Sequence, residues 1–133
     1  MPIVYLLRHA QSVANTKGIL AGQDNSVELS KEGFQQSKEL VNYLATLKIN
    51  QVYCSPLTRC VQTITPFMKA NPKIEFQIKS DLIEMNYGEW SGRKLRALSR
   101  DRRWKSVQKK PSSFTFPQGE SFKQMLRYRD WVN

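Results

Sequence analysis

One histidine, His9, and two cysteines, Cys54 and Cys60, are present among the 133 residues. Two cysteines outside a CxxC pair argue against a secreted disulfide scaffold and against a thiolate zinc site, and no other metal-binding pattern is expected. No stretch approaches the roughly 20 apolar residues of a membrane span. Residues 1–9 lack both the long apolar run and the small-residue cleavage site of a signal peptide, so the expected location is cytoplasmic, with no membrane partner. Acidic residues are scarce, 11 against 21 Lys plus Arg, which leaves a net charge of +10. No internal repeat or low-complexity tract interrupts the chain. What remains is one ordinary globular domain, long enough to build a core without metal or disulfide staples.

The positive charge is concentrated. Residues 93–110 contain Arg93, Lys94, Arg96, Arg100, Arg102, Arg103, Lys105, Lys109 and Lys110, opposed only by Asp101, a net +8. Such a segment is either a solvated helical face or an anion-attracting rim, for which Arg93, Lys94, Arg96 and Arg100 are the candidates. Leu95, Leu98, Trp104 and Val107 interleave with the charges, as in an amphipathic helix. Aromatic interleaving is too thin for a single-strand stacking platform, and no helix-turn-helix or zinc-finger pattern accompanies it. Nucleic acid is therefore a disfavoured partner.

Hydrophobic periodicity predicts an α/β chain. Residues 3–7 form a continuous apolar run, β-branched at its start, which reads as a buried strand of a mainly parallel sheet. Ser30 caps a helix running to about Leu47, with Phe34, Leu40, Val41, Leu44 and Leu47 on one stripe. Residues 51–54 form a short strand. Ser55-Pro56 is then a helix-start signal, and Pro66 is expected to bend or close that helix. Ile74, Phe76 and Ile78 alternate with polar residues as an edge-side strand. A helix is expected again from Glu120, ending at Trp131-Val132-Asn133.

In open α/β sheets, ligands bind beyond the carboxyl ends of strands. Here one end presents Arg8-His9 and another presents Cys54-Ser55-Pro56-Leu57-Thr58-Arg59. Forked guanidinium donors beside a helix N-terminus suit a phosphoryl group, and an imidazole among them could attack phosphorus. An isolated histidine is more often structural than nucleophilic, so the pair alone leaves both readings open.

The segment Leu7-Arg8-His9-Ala10-Gln11-Ser12-Val13-Ala14-Asn15 resembles the signature of the histidine phosphatase superfamily, the phosphoglycerate mutase-like family. Gly22 to Asp24, Leu29-Ser30, Gly33 and Gln36 resemble its first loop and helix. Residues 52–63, 82–92 and 117–121 resemble its later motifs in the same order. The resemblance implies a three-layer α/β fold with a mainly parallel sheet and flanking helices. It spans residues 1–133 as one domain, with a basic lid-like segment at 93–118. It further implies hydrolysis of a small phosphorylated substrate, a phosphomonoester, through a phosphohistidine. His9 would be the nucleophile. Arg8, Arg59, Asn15 and Gly22 would bind phosphate. Glu84 would be the acid that protonates the leaving oxygen and then the base that activates water. No cofactor is implied.

Two departures stand out. Ala10 replaces the family's glycine, the smallest intrusion a side chain can make. The family's second pocket histidine, with the central strand that carries it, has no counterpart, so by resemblance the fold is C-terminally incomplete and turnover is expected to be feeble. Three explanations compete: a cut version of a longer enzyme, a short member whose strand edge is covered by homo-oligomerisation, or a non-catalytic relative that binds phosphate or a protein. A basic nucleic-acid-binding module using residues 93–110 is the reading from another class.

Overall fold

The computed structural model describes residues 1–127. The end of the expected last helix, Trp131-Val132-Asn133, lies outside them. The α/β reading holds. Two strands, β1 (Gln51–Cys54) and β2 (Glu75–Ile78), pair in parallel, with Gln51 opposite Glu75 and Cys54 opposite Ile78. The helices are α1 (Val13–Thr16), α2 (Lys31–Ala45), α3 (Thr58–Ala70), α4 (Leu95–Leu98), α5 (Arg102–Lys109) and α6 (Phe122–Arg127).

Helix α2 begins where its sequence predicts. Ser30 is the N-cap, and its side chain accepts the Gly33 N–H at 3.0 Å. Its inward stripe differs in one member: Leu44 is buried and Leu40, Val41 and Leu47 pack against the core, but Phe34 is exposed. Helix α3 starts later than the Ser55-Pro56 signal suggests, with Leu57 as its N-cap. Ser55 instead turns the chain, its Oγ accepting the Leu57 N–H at 3.4 Å. Pro66 sits inside α3, which continues to Ala70. One core lies between α2, α3 and the sheet, around Leu44, Cys54, Ile64 and Phe67. A second lies around Met85, Trp90, Leu98 and Phe116. The basic segment forms two helices, α4 and α5, tied to that second core by Leu98, Trp104 and Val107.

The first segment corrects an expectation. Residues 3–7 are neither buried nor in a strand; Ile3 is 75% and Leu6 95% exposed. Their apolar character is that of a buried strand, but among the described residues no strand pairs with either edge and no layer covers either face. An apolar run is buried only when the fold supplies a neighbour.

Candidate functional site

Residue 10 is where the first segment joins the body. The Ala10 N–H donates to Thr63 Oγ1 of α3 at 3.0 Å, and the Gln11 carbonyl accepts the Ser30 N–H at 2.9 Å. These bonds place His9 over the start of α3. Arg59, in the first turn of α3, reaches the same place from beneath. The loop 82–84 brings Glu84 to the third side. His9, Arg59 and Glu84, with Ser55, Leu57, Cys60, Leu82 and Ile83, line a cavity of about 210 Å³.

The state of His9 follows from its contacts. Its Nδ1 lies 2.7 Å from the Ala10 carbonyl oxygen. A carbonyl only accepts, so Nδ1 carries the proton and Nε2 keeps its lone pair. Burial is the largest influence on the imidazole and lowers its pKa below 6.5. The Arg59 and Arg8 cations lower it further, against opposing effects from the Ala10 carbonyl and Glu84. His9 is therefore a neutral base near neutrality, which is the form that can attack an electrophile. Cys60 is a second candidate nucleophile in the cavity, but burial raises its pKa. Burial likewise pushes the Cys54 thiol up to about 11. Both stay thiols, which are poor nucleophiles.

Arg59 is 2% exposed. Its Nη2 donates to the Gly22 carbonyl at 2.7 Å and its Nη1 to the Asp24 carbonyl at 3.4 Å, while its buried Nε has no partner among the described residues. Backbone carbonyls orient this guanidinium but do not neutralise it, and a buried cation without a counterion is costly. An anion in the cavity would supply both the charge and the missing acceptor. Gly22 occupies a position closed to larger residues, since its φ is +56° and a Cβ there would come within 2.8 Å of Ser91 Oγ. Only glycine turns the chain so that its carbonyl meets Arg59.

Glu84 is held by its own loop. Its Oε1 accepts the Met85 N–H at 2.8 Å and the Tyr87 hydroxyl at 3.3 Å, and its carbonyl accepts from Gln23 at 2.8 Å. That loop is clasped in turn by residues 116–121. The Glu89 N–H donates to the Pro117 carbonyl at 2.8 Å, the Glu120 N–H to the Asn86 carbonyl at 2.9 Å, and the Asn86 N–H to Glu120 Oε2 at 2.9 Å.

The structure thus brings together three of the expected site residues, His9, Arg59 and Glu84. Gly22 stands behind Arg59 rather than on the cavity wall. Arg8 and Asn15 are exposed and do not line the cavity. Asn15 Oδ1 accepts from the Ser12 N–H at 2.9 Å and the Ser12 hydroxyl at 3.0 Å, closing a capping box on α1. Arg93, Lys94, Arg96 and Arg100 are exposed and do not line the cavity. Sequence reasoning missed the supporting residues: Thr63, Asp24, Gln23, Tyr87 and Glu120. All five lie inside recognisable motifs, but nothing in those motifs says which atom each one holds.

The sequence profile of the histidine phosphatase superfamily (branch 1) matches residues 4–132. A probable phosphatase of Schizosaccharomyces pombe is 38% identical over 90 residues, which cover 67% of this chain and 42% of that protein. The fructose-2,6-bisphosphatase TIGAR of Xenopus tropicalis is 32% identical over 128 residues, covering 90% of this chain and 44% of that protein. Among solved structures, the alpha-ribazole phosphatase from Shigella flexneri superimposes with a TM-score of 0.75 at 25% identity, covering 92% of this chain and 60% of that one. The chain spans half or less of the length of these curated relatives.

Proposed function

The chain belongs to the histidine phosphatase superfamily, and from that premise we propose that its site cleaves a small phosphomonoester through a phosphohistidine. The observation that carries this reading is the meeting of His9, Arg59 and Glu84, distant in sequence, on one cavity. His9 Nε2 attacks phosphorus as the P–O bond to the alcohol breaks. Arg59, through its free Nε and its charge, takes a phosphoryl oxygen and stabilises the charge that builds there. Arg8, exposed next to His9 in the chain, adds a second cation. Glu84 gives its proton to the departing alkoxide, leaving the alcohol and phospho-His9. Glu84, now a carboxylate, accepts a proton from water as the water oxygen attacks phosphorus, releasing phosphate and restoring His9. The reaction as written uses side chains alone.

Asn15 and the Gly22 backbone complete the proposed phosphate-binding set. Asn15 can join it only through its amide nitrogen, because its oxygen is committed to Ser12. The basic segment 93–118 serves in this reading as a lid-like rim that draws anionic substrates, with Arg93, Lys94, Arg96 and Arg100 foremost. No described helix is long and apolar enough to cross a membrane. A cytoplasmic setting, where Cys54 and Cys60 stay reduced, belongs to the same proposal. So does association between copies of the chain.

The deciding experiment is to trap the intermediate. The wild-type chain mixed with a labelled phosphomonoester should acquire acid-labile phosphate and release alcohol. His9→Ala should acquire none. Glu84→Gln should still bind phosphate, with turnover lowered by about 10²–10⁴. Turnover unchanged in His9→Ala would overturn the mechanism. Binding of phosphate without any phospho-His9 would favour a non-catalytic relative. The nine exposed cations of residues 93–110 support one further reading, a nucleic-acid-binding surface. It requires salt-dependent retention on nucleic acid that is lost when those residues are neutralised and kept in His9→Ala.

A further inference from the structure

We propose that Thr63 is a positioning residue, whose hydroxyl ties the backbone of the Arg59 turn to the backbone beside His9 and so sets where the imidazole stands over that arginine. The inference rests on the phosphohistidine reading for its effect on turnover, but the placement itself has a readout that does not need the reaction.

Among the described residues, the first hydrogen bond along the chain that ties the His9 segment to another element runs from the Ala10 N–H to Thr63 Oγ1, at 3.0 Å. Residues 3–7, ahead of it, are 47–95% exposed, so the imidazole is fixed from the Ala10 side. Thr63 is buried, and bulk water does not compete for its hydroxyl. Its own proton goes to the Arg59 carbonyl at 2.7 Å, one turn back in α3. An amide only donates and a carbonyl only accepts, so the hydroxyl has one orientation, proton toward Arg59 and lone pair toward Ala10. The Ala10 carbonyl in turn accepts from His9 Nδ1 at 2.7 Å. The result is an unbroken chain from the Arg59 carbonyl through Thr63 and Ala10 to the imidazole. One end carries the guanidinium and the other carries the ring that would attack.

A helical threonine commonly back-bonds to the carbonyl one turn earlier and does no more. Thr65 is such a residue, with Oγ1 donating to the Val61 carbonyl at 2.6 Å. Thr63 differs in what its oxygen accepts. It also stands four residues after Arg59, on the same face of α3. The guanidinium has separate holders, the carbonyls of Gly22 and Asp24. Removing the Thr63 hydroxyl should therefore release the imidazole and leave the arginine in place. The loss should fall on attack geometry and spare anion binding.

The chain has one histidine, so its imidazole gives a single set of nitrogen resonances. Nitrogen NMR of the full chain, followed through an acid titration, compares the wild type with Thr63→Val, Thr63→Ser and Thr65→Val. The wild type and Thr63→Ser should hold the Nδ1–H tautomer and titrate below the ordinary imidazole value. Valine has the shape of threonine but can neither accept from Ala10 nor donate to Arg59. In Thr63→Val the ring should populate both tautomers and titrate closer to 6.5. Thr65→Val, which removes only a back-bond from the same helix, should match the wild type. The groups that face the ring, Arg59 and Cys60 of α3, Glu84 of the loop 82–84 and Arg8 beside it, are common to all four chains, so a shift reports where the ring stands. Phospho-His9 formation from a labelled phosphomonoester should fall about 10–100-fold in Thr63→Val, as a misplacement near 1 Å would cause. Affinity for inorganic phosphate should stay near that of the wild type. A Thr63→Val ring with the wild-type tautomer and titration overturns the proposal. So does a Thr63→Ser that behaves like Thr63→Val, or a Thr65→Val that shifts the ring as far. Should Thr63→Val fail to fold, hydrogen exchange of the wild type decides. The Ala10 amide should exchange about tenfold or more slowly than the amides of residues 3–9, and an Ala10 amide as open as theirs overturns the proposal. A wild type that forms no phospho-His9 would refute the reaction and not the placement, which the resonances report by themselves.

Discussion

Residues 3–7 and residues 85–90 are both rich in apolar side chains, yet they have opposite fates. Met85 and Trp90 are 2% and 1% exposed, enclosed by Leu98, Phe116, Trp104 and Phe114. Trp90 stacks on Trp104 at 5.9 Å and meets Phe116 edge-on at 5.4 Å. Residues 3–7 are instead 47–95% exposed. The difference is one of partners. The Trp90 region closes on itself because the segments that cover it, 95–107 and 114–122, follow it in the chain and return. The first segment is anchored only from residue 10 onward. Each region delivers one residue of the proposed machinery to the cavity, Glu84 from the enclosed side and His9 from the uncovered one. The proposed acid is thus held by a clasp, while the proposed nucleophile follows an uncovered arm.

The largest break in this comparison should come from emptying the enclosed region. Trp90→Ala removes a fully buried indole from an aromatic cluster and should cost about 3–5 kcal/mol. That is a large part of the roughly 5–15 kcal/mol typical of a domain, so it should appear as a much lower urea midpoint. Gly88→Ala tests the clasp. Gly88 has φ +55°, and a Cβ would overlap the Pro117 carbonyl oxygen. The left-handed strain alone is worth about 1–3 kcal/mol. The overlap should also loosen residues 116–121 from the Glu84 loop. Turnover should therefore fall more in Gly88→Ala than in a surface variant of equal stability.

How far the sequence disclosed all this differs between the same two regions. The cap at Ser30, the β1 and β2 strands and the inward face of α2 apart from Phe34 could be read from spacing, because local rules and final contacts agree there. The start of α3 was displaced by two residues, because Ser55 turns the chain instead of capping a helix. The grouping of His9, Arg59 and Glu84 was legible through the resemblance: His9 and Arg59 also stand at expected strand ends, whereas Glu84 is marked only by the motif around it. The state of residues 3–7 was not, because an apolar pattern records what a segment can pack against and not whether the neighbour is present. The holders of Arg59 and Glu84 were hidden for another reason: most of their contacts use backbone atoms, which no side-chain pattern announces.

The junction between the regions can be read by pH. His9 has its pKa lowered in the fold, chiefly by burial. Protonation therefore favours the unfolded chain, whose imidazole titrates near 6.5. Stability should accordingly fall as pH drops through about 6.5 toward the folded value, and should level off below it. His9→Gln should lack this component, so the difference in urea midpoint between wild type and variant should narrow or reverse on acidification. The acidic limb of phospho-His9 formation should likewise lie below the ordinary imidazole value, because only the neutral ring attacks. A limb at or above that value would mean that the arm holds His9 less buried than the cavity indicates.

The smallest effect should be the most instructive, since it pairs with Trp90→Ala. Leu6→Ala also deletes a large apolar side chain, but one that is 95% exposed. With no packing to lose and no cavity to leave, its cost in the monomer should stay within about 0.5 kcal/mol. The measurement must be made at low protein concentration, where association does not contribute through mass action. A large loss at low concentration would mean instead that residues 3–7 already have an intramolecular partner, and the contrast between the two regions would fail.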